Sequence, residues 1–264
     1  MFALSFLFML APPRGAGRRG AGNHEAAGTE FTGGSVMKLT IIAATGGVGQ
    51  QLVRQALAAG HDVTAVARDP AKLPEALRAE AQAVAVDLAV ATPDNLGELE
   101  DAVSGADAVL SALGPRSKND AGIATHGTRA IIEAMRIAGV RRLVVVSAAP
   151  VGTVPSPGQP NPPRHDPGDG LLMRQVGARL ARALFGVVYA DLAEMEDLLR
   201  ASGLDWTVVR PPRLTNRPLT ARYRTAIGQN VRGGWLVPRA DVAHFMLAAL
   251  DQPETIGQVI GIAT

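Results

Sequence analysis

The stretch from Lys38 to Lys72, KLTIIAATGGVGQQLVRQALAAGHDVTAVARDPAK, constrains the fold more than any other part of the chain. A short apolar run at 39–43 is bounded by Thr45-Gly46-Gly47-Val48-Gly49, as a buried strand entering a tight turn would be. Apolar residues then recur at Val48, Leu52, Val53, Ala56 and Leu57, the spacing of one helix face, and Gly60 follows as a C-cap. A second strand is expected at 62–67. Strand, glycine-rich turn, helix and strand in so short a span form a dinucleotide-binding unit. Glycine is required there because the backbone must approach a pyrophosphate closely, while the helix N-terminus offers it unpaired N–H groups.

The second strand ends at Arg68, nineteen residues after Gly49, where an acidic residue would accept a bond from the ribose of NAD. Asp69 is adjacent, so spacing alone leaves NAD open. Asp69 also precedes Pro70, a pairing that suits an N-cap and first helical position. With Asp69 so occupied, Arg68 and Lys72 remain as a cationic pair suited to a 2′-phosphate, and NADP is the expected cofactor. The plain alternative is that both are ordinary solvated charges.

At 264 residues with a net charge of +2, the chain can bury a large core, and its scattered basic residues carry no nucleic-acid footprint. It has no cysteine, which excludes disulfides, thiolate nucleophiles and cysteine zinc sites. The five histidines never fall at a short metal-ligand spacing, so no metal is expected. Residues 1–36 differ in character. The apolar run at 2–11 is too short to span a membrane, and no basic residue precedes it. Glycine, alanine and arginine follow without periodicity, and the domain pattern begins abruptly at Met37-Lys38. Residues 1–36 therefore read as a disordered leader, or as sequence upstream of a start at Met37, with a secretory signal as the other reading. Residues 37–264 read as the folded domain.

Further along, 72–80 is expected to be helical and 83–86 to be a strand ending at Asp87-Leu88. A carboxylate at the carboxyl end of a parallel strand faces the ligand crevice, where Asp87 either meets an adenine amine or caps the next turn. Thr92-Pro93 has the form of a helix opening. A strand at 108–111 leads into Ala112-Leu113-Gly114-Pro115, small enough to admit a cofactor. A helix at 122–139 and an apolar strand running to Ser147 follow. Ser147 stands at a strand end, where its hydroxyl either holds a substrate carbonyl or nicotinamide amide, or satisfies a loop N–H. Residues 148–170 contain seven prolines and read as a loop over the crevice. Helices are expected at 171–185 and 189–201, the first with Arg174, Arg179 and Arg182 on a solvated face. A strand at 205–209, Arg210-Pro211-Pro212-Arg213, a helix at 239–250 and a closing strand at 259–262 complete the chain. Arg213, aimed by the stiff proline pair, is expected to point into the crevice. Strands alternating with helices imply an α/β, doubly wound parallel sheet with a small C-terminal substrate-side portion.

The motifs A-A-T-G-G-V-G at 43–49, A-R-D-P-A-K at 67–72, V-D at 86–87, V-V-S-A at 145–148 and V-R-P-P-R-L at 209–214 together resemble an atypical short-chain dehydrogenase/reductase. The similarity is to the NAD(P)-binding branch that includes biliverdin reductase B-type flavin reductases and NmrA-like proteins, and it spans residues 37–264. It implies a Rossmann fold and NADP contacts at Thr45, Gly46, Gly47, Val48, Arg68, Lys72, Asp87, Leu88, Leu113, Gly114 and Ser147. The chain departs from the family at three points. The first glycine of the family turn is Ala43, and the histidine after the proline pair of the flavin reductase is Arg213. The Tyr-x-x-x-Lys pair is missing, since Ala193 follows Tyr189 and Ile227 follows Tyr223 at that spacing.

Without that pair, ordinary alcohol–ketone chemistry is not expected. Two functions remain. One is NADPH-dependent reduction of a flavin or quinone, which can take its proton from water, with Ser147 orienting and Arg213 stabilising developing charge. The other is a non-catalytic NADP(H) sensor. The reductase is the preferred reading, for a cytoplasmic chain acting on a small molecule, with no nucleic-acid or membrane partner and with monomer and dimer both open.

Overall fold

The structure is a computed structural model that describes residues 24–25, 35–115, 117, 120–169 and 178–264, with backbone alone at 24–25 and 178–185. Its strands are β1 (His24–Glu25), β2 (Lys38–Ile42), β3 (Asp62–Ala67), β4 (Gln82–Ala85), β5 (Ala108–Ser111), β6 (Arg142–Val146), β7 (Asp205–Arg210), β8 (Arg213–Thr215), β9 (Arg224–Ile227), β10 (Leu236–Pro238) and β11 (Gln258–Ala263). The helices are α1 (Gly47–Ala58), α2 (Glu75–Glu80), α3 (Glu98–Val103), α4 (Ile123–Ala138), α5 (Ala178–Ala201) and α6 (Arg239–Ala248). In the main sheet the spatial order is β4-β3-β2-β5-β6-β7-β11, every neighbouring pair parallel. The chain is therefore doubly wound as expected, and the strand order reverses between β2 and β5, where ligands of such sheets bind.

Helices cover both faces, and period-two alternation divides the apolar residues between two cores. Ile42, Leu143, Val145 and Val208 face α3, α4 and α5, whose Leu99, Ile131, Met135, Met195 and Leu199 bury against them. Leu39, Ile41, Val144 and Val209 face α1 and α6, with Leu52, Val53, Phe245 and Met246. Helix α4 is capped by Gly122 and by left-handed Gly139, matching its expected limits. No helix among the described residues is long and apolar enough to cross a membrane.

Several elements differ from expectation. Thr92-Pro93 opens no helix: Thr92 and Asn95 exchange backbone hydrogen bonds of 3.3 and 2.9 Å around a two-residue turn. The helix starts later, at Glu98, with Glu98, Glu100 and Asp101 favourably placed at its positive end. The helices expected at 171–185 and 189–201 are one helix from Ala178 onward, and residues 171–177 lie outside those described. Gly186 does not interrupt it, because a glycine costs a helix only about 1 kcal/mol and lacks the steric block of proline. Strands β8, β9 and β10 gave no sequence signal, being three or four residues long in a stretch rich in Arg, Pro and Gly. β11 does not close the sheet. β9 adds antiparallel beyond it, and His24 and Glu25 pair with Thr225 and Arg224 on β9.

The turn after β2 is a tight junction. Ala43 adopts φ +58, and its carbonyl accepts the Gly46 N–H at 2.9 Å. A Cβ on Gly49 would strike the Ala43 carbonyl oxygen and lie 2.9 Å from the Ala44 Cα, so α1 can pack there only through glycine. Gly49→Ala should cost about 1–3 kcal/mol of overpacking, lowering Tm in a thermal melt by roughly 3–10 °C. Ala43→Gly should do the opposite, since left-handed alanine costs about 1–2 kcal/mol and glycine's added unfolded-state entropy only about 0.5–1 kcal/mol.

Candidate functional site

The carboxyl ends of β2 to β6 open into a cleft of about 1390 Å³. Thr45, Gly46, Gly47 and Val48 line it, while Gly49 is buried beneath them and contributes packing in place of the expected cofactor contact. Gly46 is the N-cap of α1 with no side-chain cap, and no acidic residue occupies the first turn. The first N–H groups of a twelve-residue helix thus meet the cleft without a side-chain partner at the cap, as a bound anion requires. Arg239, at the start of α6, lies across this turn: a Cβ on Gly47 would be 2.7 Å from its Cδ and Nε. Its guanidinium lines the cleft, donates to Asn216 Oδ1 at 2.7 Å, and has its pKa lowered by burial. Sequence reading missed Arg239, which the chain carries far from the glycine turn and which looks like an ordinary first helical residue.

Arg68, Asp69 and Lys72 all line the wall past β3. Here one expectation needs correction. Asp69 holds the N-cap position of the turn Pro70–Lys72, but its side chain makes no cap bond. Its carboxylate takes Lys72 Nζ at 3.0 Å instead, and that hydrogen bond, more than any other influence, lowers its pKa. Lys72 is therefore shared with Asp69, whereas Arg68 forms no salt bridge among the described residues. Asp87 caps the next turn, its Oδ1 accepting the Ala89 N–H at 3.1 Å, and it also lines the cleft. Leu88, Leu113 and Gly114 complete this side, the Leu113 N–H held by Ser111 Oγ at 3.3 Å. Gly127 lets α4 close on them, since a Cβ there would lie 2.5 Å from Leu113 Cδ2.

Ser147, just past β6, lines the far half of the cleft with Val188, Tyr189 and Leu192 of α5. Its hydroxyl donates to Glu196 Oε1 at 2.8 Å. Glu196 is 1% exposed and is gripped by Arg210, with Nε to Oε1 at 2.8 Å and a terminal nitrogen to Oε2 at 2.5 Å. Arg200 adds a bond of 2.9 Å to Oε2 from the rim. Neither Glu196 nor Arg210 stood out in the sequence, because a carboxylate on a helix and an arginine at a strand end look solvated until their elements pack.

Arg213 is not brought to the site. It is exposed on β8 and is absent from the cleft wall, where Leu214 appears instead. The two-residue period of a strand sends neighbours to opposite faces, and the turn at Pro211-Pro212 selects Leu214. The tyrosines also separate. Tyr189 reaches the cleft with its phenol pKa raised by burial. Tyr223 sits in the core, its hydroxyl 2.8 Å from His244 Nδ1.

A family model described as NAD(P)H-binding matches residues 43–253. The chain belongs to this NAD(P)H-binding family. It is 27% identical over 221 residues to the UPF0659 protein C216.03 of Schizosaccharomyces pombe, covering 81% of this chain and 85% of the relative. It is 28% identical over 224 residues to the uncharacterised sugar epimerase YhfK of Bacillus subtilis, covering 83% and 90%. Among solved structures, a Streptococcus pneumoniae protein proposed to be an NADH-flavin reductase superposes with a TM-score of 0.61 at 25% identity, covering 86% of this chain and 99% of that one. The fold is that of NAD(P)-binding Rossmann oxidoreductases.

The buried ion pair beneath Ser147 gives a direct test. Removing Arg210 leaves buried Glu196 with only the partly exposed Arg200 as counter-charge, at a cost of about 3 kcal/mol, the low end for a broken buried pair. Arg210→Met should therefore lower Tm by about 10 °C, whereas Arg213→Ala should leave the melt unchanged.

Proposed function

We propose that the protein is an NADPH-dependent reductase of a small aromatic acceptor, a flavin or quinone, working without a tyrosine–lysine pair. The observation that carries this reading is the cleft itself: a glycine turn and helix N-terminus at one end, Ser147 at the other, and apolar walls between. Gly46, Gly47 and Arg239 would hold the pyrophosphate, and Arg68, assisted by Lys72, the 2′-phosphate. Asp87, Leu88, Leu113 and Gly114 would face the adenosine. Ser147, on the β5–β7 side of the switch point, would face the nicotinamide. A bound dihydronicotinamide supplies a hydride. Val188 and Leu192 would keep water from that end of the cleft. The acceptor's own ring stabilises the charge it gains until it leaves the cleft and takes a proton from solvent, so no side chain has to donate one. The NADH-flavin reductase proposed for the streptococcal neighbour supports an acceptor of this class.

Two measurements test the reading. In titrations, NADPH should bind at least about tenfold tighter than NADH, roughly 1.4 kcal/mol, and Arg68→Ala should erase most of the difference. Because Asp69 lines the same wall, equal or inverted affinities would assign the site to NAD. Steady-state NADPH oxidation over a panel of flavins and quinones tests catalysis. Tyr189→Phe should retain activity within a few-fold, where loss of a general acid costs about 10²–10⁴, and Arg213→Ala should be indistinguishable from the parent. Tight NADPH binding without turnover of any acceptor would instead favour a cofactor-binding sensor.

A further inference from the structure

Ser147 has a single proton, and the buried network dictates where it points. The hydroxyl oxygen lies 2.8 Å from Glu196 Oε1. Among the described residues, every other group that bonds Glu196 is a donor: two nitrogens of Arg210 and one of Arg200. An ionised carboxylate accepts only, with room for about four bonds, and here four donors occupy it. Turning the Ser147 O–H away would press two acceptor oxygens together at that distance, with Ser147 only 8% and Glu196 1% exposed. Glu196 cannot swing out to relieve this, since it is 1% exposed and held by a guanidinium that is itself 8% exposed. The hydroxyl is thus left with lone pairs alone to offer the cleft.

We propose that Ser147 serves the cleft only as a hydrogen-bond acceptor, with Glu196 as its positioning residue, so that it selects a ligand group bearing an N–H or O–H. It does not donate to a substrate carbonyl or a developing oxyanion, which removes one of the two ligand roles open to it from sequence. This rests on the nicotinamide reading above. Two sources can supply the donor: the carboxamide NH₂ of the cofactor, or the N–H edge of a heteroaromatic acceptor such as an isoalloxazine.

The experiment has an arm for each source, on the full chain and on Ser147→Ala. In the first, calorimetric titration compares NADPH with its 3-acetylpyridine analogue, which keeps the ring carbonyl substituent but lacks the NH₂. In the second, NADPH-driven turnover compares lumiflavin with N3-methyl-lumiflavin, which lacks the N3–H. In one arm the donor-bearing ligand should be preferred by about tenfold, the worth of one hydrogen bond near 1.4 kcal/mol, and Ser147→Ala should bring that ratio close to one. Glu196→Gln, confirmed as folded by its melt, should also collapse or invert the ratio, because an amide can donate to Ser147 and release the hydroxyl proton to the cleft. If Ser147→Ala weakens both members of both pairs equally, or leaves both ratios as they were, the proposal is overturned while the cofactor reading stands. If the parent chain binds no NADPH, both fall.

Discussion

A contact between backbones at the end of the first long strand governs the rest of the molecule. Helix α1 approaches β2 so closely that Gly49 meets the Ala43 carbonyl with no room for a side chain. That approach forces the chain to reverse within a few residues, and it drives Ala43 into the left-handed region although it carries a Cβ. The same approach aims the first N–H groups of α1 at the carboxyl edge of the sheet. Since β2 lies beside the point where the strand order reverses, those groups meet the crevice between the two halves of the fold. The parallel register then brings Arg68, Asp87, Leu113 and Ser147 to the same edge without any further instruction.

Charge is handled differently at the two ends of the cleft. At the β3 end it is exposed: the Lys72–Asp69 pair has side-chain exposures of 69% and 47%, so solvent screens it and it can rearrange around a phosphate. Under Ser147 it is buried. Glu196 and Arg210 are held in a buried network that leaves the serine little freedom, which suits orientation more than affinity. Arg239 stands between these extremes, half-buried over the glycine turn and bonded to Asn216.

What the sequence conveyed about the site followed local chemistry. Thr45 to Val48, Arg68, Lys72, Asp87, Leu88, Leu113, Gly114 and Ser147 all reach the cleft, because each lies at the carboxyl end of a strand whose apolar run marks it plainly. Arg213 failed by the same logic: a three-residue strand, β8, begins at once after the prolines, and its alternation delivers Leu214 instead. Asp69 failed more subtly. An Asp-Pro pair signals a cap, yet the nearest cation is only three residues away and claims the carboxylate.

By itself the sequence determined the winding of the sheet, the glycine turn and the absence of a Tyr-x-x-x-Lys pair, since each is written in the periodicity or spacing of neighbouring residues. Only the tertiary structure decided which charges are buried and which side chains share a surface. Glu196 lies 14 residues from Arg210 and 49 from Ser147, and Asp241 lies 21 from Thr220, which it anchors. A helix or strand periodicity carries no information about such partners. They are selected when α5 packs on the sheet and α6 on α1, where an unpaired buried charge would be too costly to keep.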